Sequence, residues 1–335
     1  MQTELLSTHT PGLFQKAVRR AAELLRAGEV VALPTETVYG LAANALDETA
    51  VAKIFRVKGR PANNPIIVHV AGNDMAKSCV KSWPELAGKL SKAFWPGPLT
   101  LVLPRAGRIP DVVTAGGATV GVRWPGHPFI QAVIRECGFP LAAPSANLSS
   151  RVSPTSAGHV RQQLGGKIPL IVDGGRSRVG IESTVLDLTI SPPRILRPGM
   201  IHAESLAAVC GEISNLKSQI SNSVLRSPGL LAKHYSPKAK LLVLIWRDEA
   251  ELKSQISNLK FQSSSCHVVA HTHIPSAGKF AGVSVIPRDA DAFARAIYEE
   301  LHRCDEAGAE LIVVEAPPDL PEWAGIADRL RRAAA

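Results

Sequence analysis

Three cations lie within five residues of one another, at Arg56, Lys58 and Arg60. Apolar residues at helical spacing precede them and predict a short amphipathic helix that ends at this point. Gly59 and Pro61 end the helix, because glycine tolerates unusual dihedral angles and proline lacks a backbone donor. The apolar run that follows predicts a buried strand. A cationic turn that is anchored between a helix and a strand can hold a polyanion at little ordering cost.

A second group of polar side chains follows the predicted strand Glu29–Leu33. The segment Pro34–Leu41 has the sequence Pro-Thr-Glu-Thr-Val-Tyr-Gly-Leu, which is an unusual composition directly after an apolar strand. Ligands of α/β proteins usually bind at such strand ends. A plain polar turn explains this segment equally well when the segment is considered alone.

Two further turns carry polar side chains. Arg123 stands at the end of a short predicted strand, and Ser145 and Asn147 lie on a tight turn between prolines and small residues. Backbone can approach a ligand closely at a turn of this kind. The sequence contains neither GxxxxGK[ST] nor GxGxxG, so a nucleotide would bind by another scheme.

Alternating helices and strands are predicted to position these turns. The predicted helices of this part cover residues 11–28, 84–94 and 128–137, and the predicted strands cover residues 29–33, 66–70, 99–103, 168–172 and 185–188. This alternation favours an α/β or α+β fold with several polar turns at strand ends.

Strands and helices alternate again from Ala239, which predicts a second, smaller doubly wound domain. Its strands are expected at residues 241–246, 268–270, 283–285 and 310–315, and its helices at residues 291–304 and 326–332. We therefore predict a first domain over residues 1–210, a linker or lid over 211–238, and a C-terminal domain over 239–335.

A short repeat interrupts the second half of the chain. The heptapeptide Leu-Lys-Ser-Gln-Ile-Ser-Asn occurs at residues 216–222 and again at residues 252–258. It is too short to be a solenoid unit, so we interpret both copies as surface insertions or linker, flexible or weakly helical, without chemistry. Residues 227–237 lie between the copies and are bounded by prolines, with an aromatic and cationic centre that is unusual for a passive tether.

Composition narrows the class of protein. The chain has 335 residues, of which 45% are hydrophobic and 20% are charged, as in ordinary globular proteins of two domains. No run approaches the roughly 18 apolar residues that span a bilayer, and no signal peptide is predicted. We expect a cytoplasmic protein without membrane contact. The net charge of +9 favours anionic partners such as nucleotides or RNA.

Cysteine and histidine usage predicts no metal site. The five cysteines are odd in number and form no CxxC pair, so they are predicted to be reduced thiols without a disulfide framework. His267, His271 and His273 are close in sequence, but no cysteine or carboxylate pattern completes a metal site around them.

Taken together, these motifs resemble the YrdC-type domain of L-threonylcarbamoyladenylate synthases, and the similarity covers nearly the whole chain. The combination of Lys58-x-Arg60 with Ser145-x-Asn147 is its most specific part. Residues 227–237 and the C-terminal unit resemble the longer, two-domain form of that family. The matching segments of the first domain are residues 34–41, 53–70, 95–103, 119–124, 144–147, 182–185 and 197–199.

The resemblance implies a fold and an activity. The fold would be an N-terminal twisted, mixed, open sheet with helices, followed by a smaller C-terminal Rossmann-like α/β domain. The activity would condense L-threonine, bicarbonate and ATP into threonylcarbamoyl-AMP and pyrophosphate, with Mg²⁺ accompanying ATP. A tRNA-modifying partner enzyme would then transfer the threonylcarbamoyl group to the adenosine beside the anticodon, and the positive charge permits a weak contact with RNA.

The resemblance also implies roles for individual residues. The charged tetrad at the reaction centre would be Lys58, Arg60, Ser145 and Asn147. ATP would be contacted by Arg60, Asn64, Thr119, Ser145, Ser153, Arg197 and Tyr235, the last of these in a lid. Threonine would be contacted by Thr35, Thr37, His69, Arg123 and Ser183, with Arg123 pairing with its carboxylate. No metal held by protein ligands alone is predicted.

These residue types suit a reaction in which three anions converge, because the protein must mainly position them and neutralise their charge. Each residue also has a simpler explanation when it is considered alone. Lys58 and Arg60 could belong to a solvated turn, His69 could be a hydrogen-bonded core histidine, and Ser145 and Asn147 could cap a turn. The agreement among all of them favours the site.

Two other functions fit part of the sequence. A basic RNA-binding module without catalysis explains the charge, but it does not explain the polar turns, and the aromatic stacking platform of single-strand RNA readers is missing. A carbamoyl-transferring relative from hydrogenase maturation would carry acylphosphatase and zinc-finger segments, which this chain lacks.

Overall fold

The computed structural model describes residues 2–215 and 234–335, which fall into two compact units. Residues 2–149 and 153–215 belong to the first unit, and residues 150–152 and 234–335 belong to the second. In the described ranges, no helix is long and apolar enough to cross a membrane.

A single large sheet organises the first unit. Its strands are Glu4–Ser7 (β1), Val31–Leu33 (β2), Gly40–Asn44 (β3), Val68–His69 (β4), Leu99–Pro104 (β5), Thr119–Arg123 (β6), Leu141–Ala142 (β7), Leu170–Asp173 (β8), Thr184–Asp187 (β9), Arg194–Arg197 (β10) and Ser214–Asn215 (β11). They join in the order β1-β8-β2-β3-β7-β4-β6-β5-β9-β10-β11. Parallel and antiparallel pairs are interspersed, which confirms the predicted mixed, open sheet.

Helices cover both faces of this sheet. They are Pro11–Arg26 (α1), Glu48–Lys58 (α2), Asn73–Cys79 (α3), Glu85–Phe94 (α4), Asp111–Thr114 (α5), Pro128–Cys137 (α6), Ala157–Leu164 (α7) and Ala203–Cys210 (α8). Strand β2 shows why the helices form two layers. Val31 and Leu33 join an apolar cluster with α1 and α6, whereas Ala32 between them joins the opposite cluster with α2 and α4. A strand that is buried on both faces is apolar throughout, as this one is.

Most predicted elements of the first unit are confirmed. The helices expected at residues 11–28, 84–94 and 128–137 are α1, α4 and α6. The strand expected at residues 66–70 is shorter, because the backbone N–H of Ile66 donates to Val113 O at 2.8 Å and only Val68 and His69 pair with strands. The sequence patterns did not reveal β1, α3, α7 or α8. Strand β11 pairs with β10 just beyond the predicted domain boundary at residue 210.

The second unit is built on a smaller sheet in which all the strands are parallel. Its strands are Lys240–Leu244 (β12), Cys266–Ala270 (β13), Gly282–Val285 (β14) and Leu311–Glu315 (β15), joined in the order β12-β15-β13-β14. Its helices are Glu249–Asn258 (α9), Ala290–Glu306 (α10) and Ala324–Ala333 (α11). This arrangement confirms the predicted small α/β domain.

The second copy of the heptapeptide repeat is a packed helix, so its interpretation as an insertion or linker was wrong. Residues 252–258 lie within α9, where Leu252 and Ile256 are fully buried in the core of the second unit. Their spacing of four residues places both on one face of the helix. The first copy, at residues 216–222, lies outside the described residues, as does most of the predicted lid segment.

Tertiary context decides the structure of the shared tripeptide Ile-Ser-Asn. At residues 213–215 it leads into and forms β11, which pairs with β10, whereas at residues 256–258 it closes α9. Identical residues therefore form a strand in one unit and a helix in the other, which local propensity alone cannot predict.

Candidate active site

The segment Pro34–Leu41 connects β2 to β3 and lies against the turn that carries Ser145 and Asn147. The backbone N–H of Leu41 donates to Pro144 O at 2.7 Å, and that of Ala146 donates to Tyr39 O at 2.8 Å. Gly40 and Ser145 form a β-bridge between these bonds. Two turns that are more than 100 residues apart in the sequence therefore form one wall.

Lys58 ties the end of α2 to the same turn. The helix ends at Gly59 in the left-handed region, with φ of 60°, which favours glycine. The Nζ of Lys58 is buried and donates to Ser145 O at 2.6 Å and to both the backbone and side-chain oxygens of Asn147. These three acceptors match the three protons of the ammonium. Lys58 therefore positions the turn.

The side chains of Lys58 and Arg60 are both buried inside the protein. Burial, with a contribution from Arg60, lowers the pKa of Lys58 well below its ordinary value. Arg60 is also buried, and its Nε and Nη2 donate to Asn64 O at 3.0 Å and to Asn64 Oδ1 at 2.7 Å. The simpler interpretation as a solvated turn is wrong for both residues. Arg56, the third cation of the stretch, is exposed and does not join them.

Asn64 has two hydrogen-bonded oxygen atoms and an unbonded side-chain nitrogen. Its two oxygen atoms accept from Arg60, and Arg60 Nη2 also donates to Pro65 O at 2.6 Å, so the guanidinium fixes the loop after α2. The Nδ2 of Asn64 is buried and makes no hydrogen bond within the protein. A buried amide donor without a partner indicates a place where a ligand oxygen can bind.

Arg123, at the end of β6, is the centre of a second polar cluster. Its Nη2 donates to Glu36 Oε1 at 2.6 Å, its Nη1 donates to Thr37 Oγ1 at 3.0 Å, and its Nε donates to Gly97 O at 3.2 Å. A guanidinium has five N–H donors in a planar fork, so two of them remain for a ligand. A carboxylate is the anion that this geometry suits best.

Glu36 carries a buried negative charge beside that guanidinium. Burial by itself would raise the pKa of the Glu36 carboxyl, but the charge of Arg123 and the backbone N–H of Gly126 outweigh it and hold the pKa below its usual value. Oε2 is buried and has no hydrogen-bond partner of normal geometry. Gly126 packs against the carboxyl group, since a Cβ there would stand 3.4 Å from Glu36 Cδ, which is ordinary van der Waals contact.

His69 lies next to Arg123, because β4 and β6 pair in parallel at these two residues. Burial lowers the pKa of His69 to about 3, with a further contribution from the charge of Arg123. The ring is therefore neutral at physiological pH. Its Nδ1 is buried and makes no hydrogen bond, so the simpler interpretation as a satisfied core histidine does not hold for that nitrogen.

The two threonines of the segment have different structural roles. Thr35 Oγ1 donates to Val38 O at 2.6 Å and accepts the backbone N–H of Thr37, so it shapes the turn. Because the single proton of Thr35 is used in that bond, its 2.9 Å contact with Thr37 Oγ1 must be donated by Thr37. Thr37 Oγ1 also accepts from Arg123 and keeps acceptor capacity for a ligand.

Ser183, just before β9, meets Arg197, at the end of the neighbouring strand β10. Arg197 Nη2 donates to Ser183 Oγ at 3.1 Å, and Ser183 Oγ lies 2.8 Å from Thr100 Oγ1. Gly199 permits this close approach, since a Cβ there would stand 2.6 Å from the backbone nitrogen of Thr184. Ser153 Oγ donates to Glu182 Oε1 at 2.6 Å in the same unit.

Thr119 borders a small depression on the sheet. Its lining is mostly apolar and comes from Pro65, Ile66, Ile67, Thr100, Val102, Thr114, Thr119, Val120, Gly121 and Val185. It begins directly after Asn64 in the chain. Its enclosed space of about 10 Å³ is that of roughly one water molecule, so the depression as it stands does not hold an aromatic group.

Tyr235 belongs to the second unit. Its ring stacks on that of Tyr298 at a centroid distance of 6.0 Å, and the guanidinium of Arg329 lies 5.5 Å from its centroid. Ser236 forms a bridge with Arg151. The expected contact of Tyr235 with ATP stays a prediction.

The histidines of the second unit surround a carboxylate that is distant in sequence. Glu315, at the end of β15, accepts the backbone N–H groups of His271, Thr272 and His273, and His273 Nδ1 lies 2.8 Å from its Oε1. These bonds use the carboxylate to fix the loop after β13. Among the described residues, no group of three or more histidine, cysteine or acidic side chains could hold a metal ion.

Two buried carboxylates were not assigned a role from the sequence. Glu36 was noted only as part of an unusual polar segment, and Glu182 only as the residue before Ser183. A charged residue between two threonines directly after an apolar strand is the available signal for Glu36. Its partner Arg123 is 87 residues away, so the pairing itself could not be found in the sequence.

Comparison with known proteins places the chain in a family. The family model Sua5_yciO_yrdC, described as telomere recombination, matches residues 23–199, which is more than half of the chain. The chain belongs to the Sua5/YciO/YrdC family. A second model, described as the threonylcarbamoyl-AMP synthase C-terminal domain, matches residues 201–335, so this member has the two-domain form of the family.

Relatives within the Sua5/YciO/YrdC family match the chain over nearly its full length. The threonylcarbamoyl-AMP synthase of Pyrococcus abyssi is 41% identical over 94% of this chain and 93% of its own length. That of Bacillus subtilis is 42% identical over 99% of this chain and 95% of its own. The crystal structure of Pyrococcus abyssi Sua5 complexed with L-threonine superposes with a TM-score of 0.90 at 37% identity, covering 100% of this chain and 98% of that one.

Proposed function

We propose that this protein is a threonylcarbamoyl-AMP synthase, which condenses L-threonine, bicarbonate and ATP into threonylcarbamoyl-AMP and pyrophosphate. The single observation that carries the proposal is the continuous wall between two polar clusters. The cluster of Arg123 and Thr37 suits an amino acid, and the cluster of Lys58 and Arg60 suits a polyphosphate. The relatives that carry this name are similar to the chain over nearly all of its length.

Threonine would bind at the end of β6. Its carboxylate would take the two remaining N–H donors of Arg123, with Thr37, His69 and Ser183 around the rest of the molecule. The neutral ring of His69 can exchange a hydrogen bond with the substrate without adding a charge next to Arg123. A structure of the Pyrococcus abyssi relative that holds L-threonine supports an amino-acid site in this fold.

ATP would bind along the loop after α2. Its phosphates would lie against Arg60, Asn64, Ser145 and Asn147, where the unpartnered Nδ2 of Asn64 provides a donor. Ser153, Arg197 and Thr119 would contact the rest of the nucleotide, with Tyr235 as part of a lid. Mg²⁺ would enter with ATP as the substrate complex, held mainly by phosphate and water oxygens as this ion prefers.

The chemistry that follows is positional. The ammonium group of threonine first releases one proton to solvent. The resulting amine attacks the carbon of bicarbonate, and the departing hydroxide takes a second proton from the nitrogen and leaves as water, which gives a carbamate. A carbamate oxygen then attacks the α-phosphorus of ATP, and pyrophosphate departs. The buried cations stabilise the charge that develops on the phosphates, and the wall holds the reacting groups together. The product would be passed to a tRNA-modifying partner enzyme, and a cytoplasmic location stays a prediction.

An omission experiment tests the proposal. Purified protein with MgATP should release pyrophosphate only when threonine and bicarbonate are both present. Pyrophosphate release that persists without threonine or without bicarbonate would contradict it. Tight RNA binding without any pyrophosphate would favour the non-catalytic RNA-binding module.

A further inference from the structure

Glu36 has an oxygen atom that the proposed chemistry has not used. Its side chain is only 11% exposed, and Oε1 is committed to Arg123 at 2.6 Å. Oε2 is buried and accepts no hydrogen bond of normal geometry. A buried carboxylate oxygen without a hydrogen bond costs free energy. A ligand that donates a hydrogen bond to Oε2 would recover that free energy on binding.

The surroundings of this oxygen identify the group that it would accept. Arg123 offers two N–H donors to a carboxylate, and Glu36 is bonded to the same guanidinium. Thr37 Oγ1, which also accepts from Arg123, retains acceptor capacity. A positive and a negative site therefore lie side by side, with an acceptor hydroxyl next to them. A zwitterionic α-amino acid carries the complementary pair of charges on two groups that are bonded to the same carbon.

We propose that Glu36 binds the ammonium group of the amino-acid substrate through Oε2, and positions Arg123 for its carboxylate through Oε1. This inference rests on the proposed function and adds to it the residue that selects an amine-bearing substrate. Glu36 is a recognition residue and not the base, because its low pKa makes the carboxylate a poor acceptor for a proton of the ammonium.

The substitution Glu36→Gln separates the two roles. The glutamine carbonyl oxygen can keep the bond with Arg123, while its NH₂ group takes the position of Oε2 and faces the ammonium donor against donor. The matched ligand pair is L-threonine and (R)-3-hydroxybutyrate, which has the same carboxylate, hydroxyl and methyl groups but no amine. Calorimetric titration gives the affinity of each ligand for the wild type and for the variant.

The wild type should bind L-threonine at least about tenfold more tightly than (R)-3-hydroxybutyrate, since pairing between buried charges is lost with the amine. In Glu36→Gln, the affinity for L-threonine should fall by about tenfold or more, and that for (R)-3-hydroxybutyrate by less than about threefold. Equal losses for both ligands, or no loss for either, would overturn the proposal. Glu36→Asp, which keeps the charge on a shorter side chain, should recover part of the threonine affinity.

The proposal can be tested even if the variant does not fold. If Glu36→Gln does not give a folded protein by circular dichroism, the comparison of the two ligands on the wild type still decides, and equal affinities would overturn the proposal. A wild type that neither binds threonine nor releases pyrophosphate would contradict the proposed function instead. A wild type that does both, with an unchanged Glu36→Gln variant, would contradict only the inference about Glu36.

Discussion

Arg60 acts on its site through the loop that it holds as well as through its charge. The buried guanidinium fixes both oxygens of Asn64 and the carbonyl of Pro65. Arg60→Ala removes a charge from the proposed phosphate site and releases this loop. We expect pyrophosphate release to fall by on the order of 100-fold or more, as when other preorganised donors are removed.

The control for this variant is another cation of the same stretch. Arg56 lies in the last turn of α2, four residues before Arg60, and is exposed, so Arg56→Ala should leave turnover within about twofold of the wild type. Far-ultraviolet circular dichroism checks that both variants are folded. Full activity of Arg60→Ala would show that the cationic stretch does not hold the triphosphate.

His69 predicts a dependence of stability on pH. Its pKa is about 3 in the folded protein and about 6.5 when unfolded, so the unfolded state binds the proton more tightly. The stabilising contribution is present above pH 6.5 and is lost as the pH falls toward 3. In His69→Gln, the free energy of unfolding of the first unit should fall with pH less steeply, by up to about 1.4 kcal/mol per pH unit.

Urea denaturation between pH 7 and pH 4.5 measures this slope for the wild type and for His69→Gln. All other side chains are identical in the two proteins, so their contributions cancel in the comparison. Identical slopes would show that His69 is not buried in its neutral form. In that case His69 would also be a charged rather than a neutral neighbour of the amino-acid site.

The arrangement of elements at Gly199 makes a steric prediction. A Cβ at this position would stand 2.6 Å from Thr184 N and 2.8 Å from Glu182 O, both of them backbone atoms. Gly199→Ala must therefore push β9 away from the end of β10, which moves Ser183 away from Arg197. We expect a loss of about 1–3 kcal/mol in the free energy of unfolding, together with a higher KM for ATP.

Gly12→Ala is the matched control, because no atom lies within 4 Å of the added Cβ. Gly12 lies in α1, where alanine is the better helix former, so this variant should be at least as stable as the wild type. Steady-state kinetics and thermal unfolding compare the two. A wild-type KM for ATP in Gly199→Ala would show that the contact between β9 and β10 does not shape the nucleotide site.

Substitutions in helix α9 test whether the second copy of the heptapeptide repeat belongs to the packed core. Leu252 and Ile256 are fully buried, and Ser254 between them is exposed. Leu252→Ala should cost about 2–5 kcal/mol of the stability of the second unit, because it leaves a cavity in a packed core. Ser254→Ala should change stability by less than about 0.5 kcal/mol. If denaturation curves showed equally small losses of stability for both substitutions, residues 252–258 would be a flexible insertion after all.

Elements with a strong internal signal were predictable from the sequence. The helix α6 has its residues as expected, because Pro128 fits the first turn and Gly138 adopts a left-handed conformation after the last. Short strands were harder, since β4 has two residues and owes its limits to the partners of Ile66 and Val70. The structure of the second heptapeptide copy was predicted wrongly because most of its residues are polar, and only Leu252 and Ile256 are buried.

For the candidate site, the residue types could be predicted from the sequence, but their contacts could not. The helical spacing that ends at Lys58 does not show that its ammonium reaches the turn of Ser145 and Asn147, 87 and 89 residues away. The same is true of Glu36 and Arg123. Such pairs depend on the order of strands in the sheet, and no local pattern encodes that order.

At the scale of the whole molecule, one wall of the first unit is proposed to hold an amino acid at Arg123 and a triphosphate at Arg60. Carbon from bicarbonate would then be joined to the amino acid between these two sites. The most direct test follows that carbon. The protein is incubated with MgATP, ¹⁵N-labelled L-threonine and ¹³C-labelled bicarbonate, and the nucleotide products are analysed by mass spectrometry.

The proposed reaction predicts an adenylate that carries both the ¹⁵N and the ¹³C label, formed together with pyrophosphate. It should be absent when Arg60→Ala replaces the wild type. An adenylate with ¹⁵N but without ¹³C, which would be a threonyl adenylate, would contradict the claim. So would the appearance of unlabelled AMP or ADP alone.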